Sequence, residues 1–126
     1  MAAHLRQSGA DVSLVLCSSA RRALQTLELV APPGEVQIED ELYGASADRL
    51  LARLARVPDA HNAVMLIGHN PAMQELAAGL APGNGLAEQK FPTGALATLA
   101  FTGRWRGLEW GAAELTEFVR PRDLTE

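Results

Sequence analysis

Apolar residues recur along this chain in two alternating rhythms. Short unbroken runs give way to stretches in which apolar positions fall three and four apart. The run Ala63–Ile67, Ala-Val-Met-Leu-Ile, reads as a strand buried on both faces. Gly68 ends it, and Asn70 is placed to cap a helix beginning at Pro71, with Met73, Leu76, Ala77 and Leu80 on one face. An earlier strand is predicted over residues 12–16, with Ser13 its one polar member. Cys17-Ser18-Ser19 leads from it into a helix over residues 20–30, where Ala20, Ala23, Leu24, Leu27 and Val30 keep helical spacing. Pro32-Pro33-Gly34 stops that helix, and residues 36–38 form a short strand. Residues 39–44 form an acidic loop, and Ser46 caps a helix over 47–56 with the stripe Leu50, Leu51, Leu54. After the loop Pro82-Gly83-Asn84-Gly85, residues 95–101 read as a strand. Residues 102–107 are turn-rich, and 109–119 return as an antiparallel strand limited by Pro121. Residues 1–7 read as a helix stopped by Gly9, but no Ser, Thr, Asp or Asn precedes it, and so short a helix is marginal. Strands alternating with helices, closed by a hairpin, predict an α/β protein: a three-layer α/β/α sandwich with a mostly parallel sheet.

Composition narrows the class. The 126 residues suit one domain spanning 1–126, and 48% hydrophobic content is globular. No apolar run approaches a membrane span, and residues 1–10 carry no secretory pattern. The single cysteine, Cys17, excludes an internal disulfide and a cysteine zinc cluster, so the cytoplasm is the expected compartment. A net charge of −4 gives no general attraction to nucleic acid or to an anionic membrane. His4, His61 and His69 show no metal-ligand spacing, and no metal or cofactor is implied. No Gly-x-Gly-x-x-Gly or Gly-x-x-x-x-Gly-Lys follows any strand, which disfavours a Rossmann-like nucleotide binder. Trp105 and Trp110 fall in the predicted hairpin, as packing partners or as a ligand platform.

Two strand–turn–helix junctions carry the candidate chemistry. His69 lies where a parallel strand gives way to a helix, the place where open α/β sheets bind ligands and where a helix N-terminus favours anions. Arg21 and Arg22 lie on the first turn of the other helix, against its dipole; a bound anion would account for them, and so would a pair of solvated side chains. Cys17 before these arginines also resembles a tyrosine-phosphatase loop, but three and four intervening residues are too few for it. A buried strand-end thiol is the plainer reading.

Five motifs in order resemble the histidine phosphatase superfamily, with its phosphoglycerate-mutase-like fold, and within it the small phosphohistidine phosphatases of the SixA type. They are Ser18, Arg22, Ala23, Gln25 and Thr26; Leu42-Tyr43-Gly44-Ala45; Gly68-His69-Asn70; Pro92-Thr93-Gly94; and the tail from Phe118 to Leu124. The resemblance spans nearly the whole chain. It implies a bacterial-type enzyme that hydrolyses phosphohistidine on a protein, or a small phosphoester, through a phosphohistidine intermediate. Arg22 would clamp the phosphoryl oxygens and His69 would donate to them and stabilise transition-state charge, with Ser18, Asn70, Thr93 and Gly94 as a second layer. The family's general acid falls on Asp40, with Glu41 as neighbour; a solvated acidic loop is the alternative.

The family's opening Arg-His pair, whose histidine is the nucleophile, occurs nowhere in this chain. The resemblance therefore implies a sheet missing its first strand, a fragmentary chain and no turnover, or else a non-catalytic phosphate-binding or interaction module. Ala63–Ile67 and the strand over 95–101 are expected to flank a gap or else to close on each other, with exposed ladder edges and poor stability or aggregation.

Overall fold

The two unbroken apolar runs form adjacent strands whose residues are all buried. In the computed structural model, which describes residues 2–7, 11–83, 85 and 95–119, these are β2 (Leu14–Ser18) and β4 (Ala63–Ile67). With β1 (Ala2–Gln7), β3 (Glu35–Glu39), β5 (Leu96–Phe101) and β6 (Ala113–Val119) they make one six-stranded sheet, ordered β3-β2-β4-β1-β5-β6. The pairs β2–β3, β2–β4 and β1–β5 are parallel, whereas β1–β4 and β5–β6 are antiparallel.

Three α-helices among the described residues cover the sheet. α1 (Arg21–Val30) lies on one face, over Val15, Cys17, Met65 and Ile67. α2 (Ala47–Leu54) and α3 (Ala72–Leu80) lie on the other, over the larger core of Leu5, Leu14, Leu16, Leu66 and Leu99. This is the α/β/α sandwich expected from the alternation. Gly34 makes the turn into β3 possible: its φ is +105°, and a Cβ there would stand 2.7 Å from the Ser13 carbonyl carbon. α3 starts at Ala72, one residue later than expected; Asn70 still serves it, its Oδ1 accepting from the Gln74 N–H at 3.3 Å.

Two expectations fail together. Residues 2–7 are not a helix, and the sheet has no gap. β1 occupies the position between β4 and β5, with Ala3 opposite Leu66 and Ala97, and Leu5 opposite Val64 and Leu99. Ala and Leu favour helix locally, but two facing ladders of unpaired backbone groups demand a partner, and tertiary pairing overrides propensity. The fit is imperfect. His4 and Arg6 alternate with Ala3 and Leu5 and so face the α1 side, where His4 Nε2 and Arg6 Nε are buried without a hydrogen-bond partner.

Trp105 is fully buried; its indole N–H donates to the His61 carbonyl at 2.6 Å and its ring meets Phe101 edge-on at 4.9 Å, so it is a packing residue. No helix among the described residues is long and apolar enough to cross a membrane.

Candidate functional site

Because β2, β3 and β4 run parallel, their carboxyl ends share one edge of the sheet. Cys17 stands opposite Ile67 in the ladder, so the next residues, Ser18, which ends β2, and Gly68, stand side by side where the two chains leave the sheet. Each chain then turns into a helix, α1 on one face and α3 on the other. Open α/β sheets bind ligands between chains that depart in this way, beside helix N-termini.

Ser18 is fully buried, and its Oγ accepts from the Ala20 N–H at 3.1 Å, which sets the turn into α1. No side chain caps α1, so the amides of its first turn are unspent, and Arg21 and Arg22 follow at once, both exposed. A guanidinium beside unspent amides is a donor set for a tetrahedral anion. His69 is exposed at the end of β4, and its carbonyl accepts from the Met73 N–H at 3.3 Å, tying the residue to the start of α3. The backbone thus puts Ser18, Arg22, His69 and Asn70 on one edge. Thr93 and Gly94 lie outside the described residues; β5, which follows them, begins at the same edge, with Leu96 in register with Ala2 and Ala2 with Ile67.

The three acids from Glu39, which ends β3, to Glu41 differ in their engagement. Glu39 receives two hydrogen bonds from Arg53, at 2.7 and 2.9 Å, and these hold its carboxyl below the usual range. Glu41 is paired with Arg56 and lies 3.6 Å from Arg53. Asp40 is exposed in the 3-10 turn Asp40–Leu42 and has no ion pair among the described residues. Arg53 on α2 and Arg56 just beyond it disarm the neighbours, a link no sequence spacing announces.

Cys17 is buried, with its thiol directed at the Ser18 and Ala23 carbonyls, and burial pushes its pKa up. That is a structural thiol, not a nucleophile. The other two histidines stand away from the edge. His61 meets Ser13 at 2.7 Å at the amino ends of β2 and β4. His4 is buried in mid-sheet opposite Met65.

No family model matches this sequence. Proteins of Mycobacterium tuberculosis and Mycobacterium leprae, both uncharacterized, do. The first is 36% identical over 94% of this chain and 79% of its own length, the second 32% identical over 94% and 77%. A putative phosphohistidine phosphatase SixA from Nakamurella multipartitia has a solved structure that superposes with a TM-score of 0.80 at 33% identity, over 89% of this chain and 72% of that one. The fold is also that of a protein histidine phosphatase SixA complexed with tungstate, at a TM-score of 0.73 and 20% identity over 99% of this chain and 100% of that one.

Proposed function

The chain belongs to the SixA phosphohistidine phosphatases of the histidine phosphatase superfamily, and on that footing we propose that its carboxyl edge binds the phosphoryl group of a phosphohistidine-bearing protein or of a small phosphoester. The observation that carries this reading is the register of β2 with β4, which sets Ser18 beside Gly68 and opens two helix N-termini on one cleft. Arg22 clamps two phosphoryl oxygens and the amides at the start of α1 take the third. His69 donates to the same oxygens and offsets charge as it develops. Ser18 and Asn70 complete the surroundings, and the family resemblance gives Thr93 and Gly94 the same role. Asp40, unpaired among the acids of its turn, protonates a leaving group that needs it. An imidazole leaving group, with an ordinary pKa near ~6.5, needs little such help. The tungstate held by a SixA of the same fold is a tetrahedral oxyanion of the kind this cleft would take.

A second, non-catalytic reading has its own observation. The sequence contains no Arg-His pair, and of its three histidines only His69 stands at the edge. With no second imidazole to take the phosphoryl group, this polypeptide binds without turning over. Calorimetric titration with tungstate tests the site. Arg22→Ala should weaken binding at least tenfold, about 1.4 kcal/mol, and His69→Ala severalfold; unchanged affinity in Arg22→Ala overturns the site. Release of phosphate from a phosphohistidine peptide by this polypeptide alone would overturn the non-catalytic reading.

A further inference from the structure

A groove of about 370 Å³ lies between α2 and α3, lined by Ser46, Ala47, Asp48, Glu75, Gly79 and Trp110. Its walls are unlike the rest of the surface. Trp110 is half exposed yet pinned: a Cβ on Gly79 would come within 2.7 Å of its ring, and the Gly111 N–H donates to the Gly79 carbonyl at 2.9 Å. Glycine within a helix costs about 1 kcal/mol relative to alanine; here, in the last turn of α3, it leaves room for the Trp110 ring beside the helix. Asp48 and Glu75 flank that ring from two different helices.

Both carboxylates sit in first turns, where the helix dipole favours them. The dipole does not explain why both line one groove around an exposed indole, nor why neither has a cation among the described residues. Nearby, Arg53 on α2 and Arg56 just beyond it neutralise Glu39 and Glu41. Asp48 and Glu75 have no such partner among the described residues. An aromatic face between two unneutralised carboxylates complements a guanidinium or ammonium group, by charge and by the ring quadrupole together.

Part of the groove's lining comes from the helix starts on the side of the phosphoryl edge. Ser46, Ala47 and Asp48 begin the helix that follows the carboxyl end of β3. Glu75 lies three residues into α3, roughly 4.5 Å along its axis from the end nearest His69. We infer that this groove seats the positively charged side chain, arginine or lysine, of the protein whose phosphoryl group is presented to that edge. The cation seat stands on the groove alone; its assignment to a phosphorylated partner rests on the proposed function.

The test follows the indole N–H resonance of Trp110 in a ¹⁵N-labelled full chain at low salt, titrated with arginine amide and with its neutral isostere citrulline amide. Arginine amide should shift the signal saturably and citrulline amide should not. The double variant Asp48→Asn, Glu75→Gln should lower the association constant at least fivefold while the buried Trp105 signal, which reports the fold, stays put. No saturable shift, an equal shift with citrulline amide, or full affinity in the double variant overturns the cation seat. Tungstate affinity measured on the same samples separates this outcome from failure of the phosphoryl site, since Arg22→Ala should weaken tungstate binding at least tenfold and leave arginine-amide binding intact. A phosphohistidine peptide with arginine roughly three or four residues away, about 10–14 Å of extended chain, should bind at least fivefold tighter than its citrulline counterpart. Equal binding of the two peptides overturns the assignment to the phosphorylated partner.

Discussion

Arg53 is a buried guanidinium on α2 that reaches back to Glu39 at the end of β3, so it ties the helix layer to the edge strand next to the site. Arg53→Ala should cost roughly 1.5–3 kcal/mol in urea denaturation, as expected when hydrogen bonds to a charged group are lost. Arg53 holds the Glu39 pKa below its unfolded value, so the pair's contribution is complete above the ordinary glutamate range and is lost as pH falls through the lowered value. Glu39→Gln should therefore flatten the acid limb of the stability profile. His4 titrates in a different window. Burial, then Arg6, lowers its pKa, with Asp11 and Glu117 opposing; the unfolded chain binds the extra proton first, so stability falls as pH drops below about 6.5. His4→Val removes an orphaned ring nitrogen and supplies a β-branched residue to a strand. It should raise the urea midpoint, by about 1–3 kcal/mol of stability, and abolish that near-neutral slope.

At the scale of the element, the end of α2 is as legible in structure as in sequence: Ser46 Oγ accepts from the Arg49 N–H at 3.3 Å, so Ser46→Ala should cost about 1 kcal/mol, read as a lowered melting temperature. The strand at Ala63–Ile67, the helix over Arg21–Val30 and the hairpin β5–β6 stand close to their predicted places, because their apolar spacing and their turn residues agree with the packing they enter. β1 does not. Residues 2–7 carry helix-favouring side chains, and what makes them extended is a ladder supplied by β4 and β5, distant in the chain. In the candidate site, Ser18 and His69 are proposed from their places at strand ends and Arg22 from the first turn of a helix. The bond of Arg53 to Glu39 and the approach of Trp110 to Gly79 could not be read so, since neither has a fixed separation in sequence.

Over the whole molecule, the exposed ladder edge expected beside β4 is filled, and the apolar exposure lies elsewhere. Val36 and Ile38 pair with Val15 and Cys17, so they face the α1 side, yet both are exposed on edge strand β3, as are Leu29 and Val30 on α1. An edge strand with free backbone groups and apolar side chains invites association. Ile38→Lys should reduce concentration-dependent light scattering while changing stability by no more than about 0.5 kcal/mol; scattering unchanged by the lysine would place the association elsewhere.

From its sequence alone this protein is an α/β sandwich with two strand–turn–helix junctions suited to an anion, because hydrophobic period and helix-end chemistry are local properties. Which strands lie side by side, what fills the centre of the sheet, which acids are neutralised and where an indole meets a glycine were decided only in three dimensions. Those outcomes depend on contacts between distant segments, whose backbone groups and charges must find partners once water is excluded.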